Sequence, residues 1–355
     1  MRRVLYLIDN YSLGGAQIVV KGILENKAYN DEVFSVALRK KDPVMEICNG
    51  NAIVYQSKSR FSFMPLLFLK RFIETHHIDI LHCQLPRSIV FGYLLKILFF
   101  REMVYIIHEQ GDIFESWFYA AVLRVIARKS SGIIACSKAT GQKLQERSCL
   151  AASKIRVIYN FVDLGRFAPV SHHEPGTFMV GFAGRIEKRK GWREFLQIAE
   201  SLKYNNNLRF LMAGTGSEIE RMTGIIKSHN LYNVDYLGYL ADMAGFYQRI
   251  HLLIIPSYFE PMGMVAIEAM ASGVPVIASD VPGLNEIISG NKDGWLVPVH
   301  AIEPVIRLIE EFVRKPEVDR QILTSNAIRK ARTFSYTGFE AILDQYHKQF
   351  TFQNG

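Results

Sequence analysis

Between residues 184 and 191 the chain reads GRIEKRKG, crowding Arg185, Lys188, Arg189 and Lys190 into six positions. Like charges at that spacing repel unless something negative sits among them. A diphosphate would serve, with Arg185 as a forked donor and Lys190 as a compact point charge. The alternative is a solvated basic turn. The run follows a strand-like stretch, 178–182, with Gly184 to make the turn, and that position favours an anion site. Further on, PSYFEPMGMVAIEAMASGVPVIASD (256–280) carries Glu260 and Glu268. Pro261 keeps Glu260 out of helical dihedrals, so a helix starts near Gly263 with Glu268 inside it. On a single helix the two carboxylates would diverge by about 80°. A loop followed by a helix lets both face one pocket, where carboxylates beside a diphosphate site suit a ligand rich in diols, such as a nucleotide sugar. Two unrelated surface charges would be the other explanation.

A second glycine turn, NYSLGGAQ, follows the first apolar stretch, and Gly14 and Gly15 let the backbone approach an anion closely. Neither glycine cluster spells GxGxxG or GxxxxGK[ST], which removes the main signature of a nicotinamide dehydrogenase and of a P-loop NTPase. No Asp-x-Asp pair occurs in the chain. An enzyme that handles a nucleotide diphosphate without it must neutralise charge with its own cations and helix ends, so we expect no metal and no cofactor beyond the donor itself. HHIDILHC (76–83) has no tetrahedral ligand spacing, and His172 and His173 read as solvated linker residues.

The elements that must position these groups are short β-branched runs alternating with amphipathic stretches, the pattern of successive βαβ units. Strands are expected at 4–8, 33–38, 52–55, 78–82, 103–107, 132–136 and 156–159, then at 178–182, 208–213, 234–237, 252–255, 275–279 and 295–297, each of the second series but the last followed by a helix. The rhythm breaks at DLGRFAPVSHHEPGT (163–177), which marks a domain boundary. The fold class is α/β: two doubly wound, Rossmann-like domains facing a central cleft, with ligands beyond the carboxyl ends of the strands.

With 355 residues, 49% apolar and 21% charged, the chain is excluded from the disordered and low-complexity classes and has room for two cores. Its four cysteines form no CxxC pair, which speaks against a disulfide framework or zinc ribbon and for a reducing cytosol. The opening MRRVLYLIDN is too short in its apolar run for a signal peptide, and Lys96, Arg101 and Glu102 interrupt 88–107 before it reaches membrane-spanning length. Residues 1–174 hold 23 basic and 15 acidic side chains, residues 175–355 hold 19 of each, so the whole net charge of +8 is N-terminal. Much of it flanks apolar stretches such as FMPLLFLKRFI and FGYLLKILFFR, a mixture suited to an anionic membrane surface, or to half-buried helices whose lysines snorkel. No nucleic-acid-binding pattern accompanies the basic charge, so no nucleic acid partner is expected.

Taken together, Glu260 and Glu268 resemble the EX7E motif of the retaining glycosyltransferases of family 4, which have the GT-B fold. The GGAQ turn, His108, YNFVD, AGRIEKRKG, AGTGSE, the segment from Glu260 to Glu268 and GVPVIASDVPGLNEII follow in family order over nearly the whole chain. The resemblance implies that Glu268 binds the ribose hydroxyls and Glu260 the donor sugar, that Arg185 and Lys190 hold the diphosphate, and that the amides of Met262, Gly263 and Met264 meet sugar and phosphate oxygens. Gly14, Gly15 and Gly184 would line the diphosphate, the backbone near Gly238 and Tyr239 would read the base, and His108, just after the fifth strand, would orient the donor sugar. It further implies an acceptor-binding domain over 1–170, a nucleotide-sugar domain over 171–335 and a C-terminal helix, 336–355, packed back on the first domain. The expected activity is transfer of a hexose or N-acetylhexosamine from a nucleotide-diphosphate sugar, UDP by family frequency, to a lipid-linked or cell-surface glycan in polysaccharide biosynthesis, at the cytoplasmic face of the membrane. A non-catalytic scaffold and a nucleotide-sugar epimerase are the alternatives on the same fold. Two positions depart from the family pattern: Phe161 where glycine is usual, and His300 where an acid often follows the GxLVP-like strand.

Overall fold

The computed structural model describes residues 1–12, 14–26, 31–39, 51–55, 62–111, 113, 116–169 and 176–351. The chain divides into two compact units, 1–160 with 339–355, and 161–338. The break falls before the Pro/Gly-rich stretch. Asp163 accepts hydrogen bonds from the amides of Gly165 and Arg166 (3.0 and 3.1 Å), and Arg166 donates to the Ala241 carbonyl at 2.9 Å, so this part of the stretch is folded into the second unit. His172 and His173 lie outside the described residues.

In unit 1, β1 (Arg3–Ile8), β2 (Glu32–Ala37), β3 (Ala52–Val54), β4 (Ile80–Gln84), β5 (Val104–Glu109), β6 (Gly132–Ala135) and β7 (Ile155–Val157) form one parallel sheet in the order β3-β2-β1-β4-β5-β6-β7. Helices α1 (Gly15–Glu25), α2 (Met64–His76), α3 (Pro86–Leu98), α4 (Trp117–Ile126) and α5 (Lys138–Ser148) connect the strands. A parallel sheet covered on both faces needs near-continuous apolar strands, and β1, RVLYLI, is buried at every residue after Arg3. One apolar core joins Leu5, Leu7, Leu81, Cys83, Tyr105 and Ile107 to α2, α3 and α4. Ser116 and Ser137 cap α4 and α5 by accepting from the amides of Tyr119 and Thr140.

Most strand boundaries differ from the sequence reading by one or two residues, and two of these shifts have a clear cause. The fourth strand begins at Ile80 because 77–79 terminates α2: His77 is left-handed (φ 48°) and the Ile78 amide bonds back to the Ile73 carbonyl at 3.1 Å. The fifth runs on to Glu109, since His108 pairs in register with Gln84 on one side and Ile134 on the other. His108 therefore lies within the strand, not after it.

The C-terminal helix α13 (Tyr336–Thr351) enters unit 1 from Phe339 onward. Arg2 ties it down, donating to Asp31 at 2.8 Å and to Asp344, while His347 lies 3.9 Å from the other Asp31 oxygen. Asp31 is almost fully buried, so Arg2→Ala leaves a carboxylate short of its main partner. We expect a loss of about 3 kcal/mol in urea unfolding; an unchanged midpoint would mean that α13 is held by its apolar face alone.

Unit 2 repeats the design. Its sheet is β10-β9-β8-β11-β12-β13, all parallel, from β8 (Phe178–Ala183), β9 (Leu208–Ala213), β10 (Val234–Tyr236), β11 (Leu252–Ile255), β12 (Val276–Ser279) and β13 (Trp295–Val297). Helices α6 (Trp192–Ser201), α7 (Ile219–Ser228), α8 (Met243–Gln248), α9 (Met264–Ala271) and α10 (Leu284–Ile287) follow successive strands; contrary to the sequence reading the last strand is also followed by one, α11 (Ile302–Arg314), and α12 (Glu317–Arg332) comes next. In both sheets the strand order reverses once, between β1 and β4 and between β8 and β11. At such reversals the loops leave in opposite directions and open a crevice at the carboxyl ends of the strands. Among the described residues no helix is long and apolar enough to cross a membrane.

Candidate active site

The unit 2 crevice is built by two loops, one after β8 and one after β11. The first turns at Gly184, makes a single 3₁₀ turn over Lys188–Lys190 and enters α6 through Gly191, which is left-handed (φ 71°). A side chain at Gly191 would collide with the Pro256 carbonyl, so glycine here lets the basic turn lie against the residues that follow β11. The Tyr258 amide closes the contact by donating to the Arg189 carbonyl at 2.8 Å. The consequence is an ion pair: Lys190 Nζ stands 2.5 Å from Glu260 Oε1, with the two side chains 15% and 10% exposed. Ser257 Oγ donates to the same oxygen at 2.9 Å.

The remaining cations are differently placed. Arg185, more than half exposed, pairs through Nη1 with Glu187 at 3.0 Å, and Arg189 Nε reaches the other Glu187 oxygen at 3.2 Å. Glu187 and Glu260 thus supply part of the counter-charge that the sequence reading assigned to a ligand. An exposed pair such as Arg185–Glu187 contributes at most about 1 kcal/mol, so Arg185 can exchange its partner for an arriving anion, whereas Lys190 and Glu260 are locked together.

Glu268 sits one turn inside α9, buried, and accepts from the Tyr247 hydroxyl at 2.9 Å. Burial pushes its carboxyl up to about 7, against the opposing pull of the Tyr247 bond and the Arg166 charge. The two glutamates are therefore chemically distinct, one ion-paired with lysine and one poised at its protonation midpoint near neutral pH. The first turn of α9 starts at Gly263 (φ 88°), where a side chain would press on Leu284 at 2.6 Å, so Met262 is buried beneath the turn and the amides at Met264 and beyond begin the helix. The Ala266 amide donates to the Gly263 carbonyl at 2.9 Å, while the amides before it in the first turn lack intrahelical acceptors and carry the positive end of the helix dipole. After β10, Gly238 (φ 69°) accepts from the Gly214 amide at 2.8 Å and leaves the Tyr239 ring half exposed.

Arg185, Lys190, Glu260, Glu268, Gly184, Gly238, Tyr239, Met262, Gly263 and Met264 all belong to unit 2, while Gly14, Gly15 and His108 belong to unit 1. Gly14, extended at φ −179°, caps α1, and the turn before it is fastened by Asn10, whose side chain accepts from the Ser12 amide at 3.0 Å. His108 is fully buried, its Nδ1 3.1 Å from His82 Nε2, and its Nε2 has no partner. Burial, reinforced by His347, pushes it down to about 3. An imidazole so held is neutral and exchanges a hydrogen bond rather than a proton.

One network escaped the sequence reading. Glu194, in the first turn of α6, accepts from the Tyr258 hydroxyl at 2.6 Å and lies 2.7 Å from His300 Nδ1. His300, left-handed at φ 63°, also packs its ring 4.5 Å from that of Tyr258. The histidine that departs from the family pattern is thus linked through an acid to the loop that carries Glu260. Its partner is 106 residues away, so no local spacing could have announced it.

Comparison with known proteins extends these observations over most of the chain. Residues 14–166 match the model of Glycosyltransferase Family 4, and residues 166–330 that of Glycosyl transferases group 1. An uncharacterized 41.2 kDa protein in the cps region of Klebsiella pneumoniae is 25% identical, covering 90% of this chain and 93% of its own length. A D-inositol 3-phosphate glycosyltransferase of Gordonia bronchialis is 32% identical over 48% of this chain and 40% of its own. Among solved structures, sucrose-phosphate synthase from Thermosynechococcus elongatus superposes with a TM-score of 0.85 at 20% identity over the full length of both chains. Anabaena HepE in complex with UDP and glucose gives 0.83 at 19% identity, over 98% of this chain and all of that one. These likenesses are to the α/β two-domain GT-B fold.

Proposed function

The chain belongs to the glycosyltransferases of GT-B fold, and from that premise we propose a metal-independent, retaining transfer of a hexose or N-acetylhexosamine from a UDP-linked sugar to a lipid-linked or cell-surface glycan. The observation that carries the proposal is the Lys190–Glu260 pair at the crevice of unit 2, beside the first turn of α9. Breaking the anomeric bond of the donor leaves negative charge on the diphosphate and positive charge on the sugar ring. Lys190, Arg185 and the α9 amides answer the first, each preorganised donor contributing about 3 kcal/mol where water is excluded. Glu260 answers the second and orients Lys190. Glu268 accepts from a ribose diol. With no enzymatic base in the scheme, the departing phosphate oxygen takes the acceptor's proton as the new glycosidic bond forms on the same face.

The UDP complex of HepE supports a uridine nucleotide. An acceptor at a membrane is supported by unit 1, which holds the entire excess of basic residues and exposes Phe63 just before α2, Met64 and Leu67 on α2, and Trp117 and Phe118 on α4. A thermal-shift panel of UDP, GDP, ADP and their sugars tests the donor: a uridine nucleotide is expected to raise the melting temperature most, because it binds only the folded chain. Transfer should survive EDTA undiminished, and an absolute requirement for added Mn²⁺ would overturn the metal-free scheme.

A further inference from the structure

The strand reversal of unit 1, between β1 and β4, carries charged residues that the proposed donor chemistry does not use. Ile8 pairs in register with Ala37 of β2 and Gln84 of β4, so the residues just beyond these strands, Asp9, Arg39 and Arg87, leave the sheet at one edge. Asp9 commits both carboxylate oxygens to the start of α3, accepting from the Ser88 amide at 2.7 Å and the Arg87 amide at 3.2 Å. It therefore acts on the two guanidinium groups through its charge alone. All three guanidinium nitrogens of Arg87 are shut off from solvent without a hydrogen-bond partner, and so is Nε of Arg39. Arg87 has the Phe91 ring 5.3 Å away and Arg39 close enough to repel it.

Arginine stays charged in proteins, and a buried donor left unpaired is costly, more so when charged. Folded chains retain few such groups without reason. Among the described residues, two arginines against one aspartate leave this edge one positive charge in excess. Leu85, at φ 75° in a region costly for a residue with a side chain, holds the turn that delivers Arg87. The desolvated guanidinium fork of Arg87, with its bonds unmade and Arg39 beside it, matches an oxyanion that accepts several hydrogen bonds at once.

We propose that Arg39 and Arg87 form a phosphate-binding subsite in unit 1, and that the acceptor carries a phosphate group which docks there. The first clause stands on unit 1 alone; the second rests on the reading of the chain as a transferase whose first unit takes the acceptor. Asp9 keeps the site from closing on itself by holding the α3 amides, and the net single positive charge suits a phosphodiester or a phosphomonoester.

The test is a calorimetric titration of inorganic phosphate into the intact chain with no donor present. Wild type should bind, Arg87→Gln and Arg39→Gln should each weaken binding about tenfold or more, and Arg185→Gln, at the proposed diphosphate site, should leave a full equivalent bound. No binding by wild type, or binding lost in Arg185→Gln and retained in Arg87→Gln, overturns the subsite. Should Arg87→Gln fail to melt cooperatively, Arg87→Lys replaces it, keeping charge without the fork, and an affinity equal to wild type then counts against the proposal. Glycerol 3-phosphate and phosphatidylglycerol vesicles separate the sources: Arg87-dependent binding of the first alone assigns a soluble phosphate, and of the vesicles a lipid headgroup, while dependence in neither refutes the acceptor role. Because no nucleotide enters these titrations, their outcome is independent of the donor panel, and either reading can fail while the other stands.

Discussion

Lys190→Ala is expected to lower the rate of sugar transfer by about 10³-fold or more. Lys190 is part of the donor site on the reading proposed above, and a preorganised cation facing a leaving diphosphate is worth about 3 kcal/mol, a little over two powers of ten in rate. The rest of the loss comes from Glu260, which keeps Ser257 as a hydrogen-bond donor but loses the ammonium 2.5 Å from its oxygen. An unpaired carboxylate at that depth swings toward water or takes up a proton, and either way leaves the position from which it would face the sugar. The same substitution should cost stability, which makes a structural explanation available, and a second variant separates the two. In Lys190→Ala combined with Glu260→Gln no buried charge is stranded, so the melting temperature should recover relative to Lys190→Ala while transfer stays as low as in Lys190→Ala. If the double variant regained transfer along with stability, the pair would be a strut of the crevice and not part of its chemistry.

The strand pattern was legible because parallel strands covered on both faces must be apolar along their length, and runs such as Leu252–Ile255 admit no other use. Boundaries failed where a polar residue continued a strand. His108 looks like a terminus in sequence, yet its place in the ladder is set by Gln84 and Ile134, which sequence order keeps far apart. The candidate site was legible in its glycines and charges, since a left-handed turn at Gly191 or Gly263 leaves a mark on the sequence. Electrostatic pairing left none. That Glu187 would hold Arg185 and Arg189, or that Glu194 would join Tyr258 to His300, depends on side-chain reach across loops whose approach only the packing of glycine against carbonyl decides. The unpaired guanidinium group of Arg87 is equally silent in sequence, where one arginine after a proline resembles any other first-turn residue.

Glu268→Gln should abolish a pH dependence of stability that wild type carries between about pH 4.5 and pH 7. The folded carboxyl is raised by burial to about 7 from an ordinary value of 4.5, so the folded state binds its proton more tightly than the unfolded chain does. The stabilisation is fully present below 4.5 and is lost as pH rises through 7, because the folded chain must then hold a buried carboxylate that the unfolded chain ionises in water. A shift of this size corresponds to about 3 kcal/mol between the two limits. Buried histidines work in the opposite sense. The depressed values of His82 and His108 cost stability as pH falls through the ordinary imidazole range, so the wild-type curve alone is a compromise between the two effects. The difference between wild type and Glu268→Gln isolates the carboxyl, since glutamine keeps an oxygen to accept from Tyr247 and carries no charge at any pH. Denaturation at pH 5 and pH 8 should therefore find the variant near wild type under acid conditions and more stable in alkali. Nucleotide binding should move the other way: a ribose diol donates more strongly to a carboxylate than to an amide, so the variant should bind the nucleotide more weakly above pH 7 and lose less below it. Equal stability of the two chains at pH 8 would mean that Glu268 ionises at no cost, through water or a cation that reaches it in solution. It would then behave as an ordinary surface acid and have no special claim to the ribose.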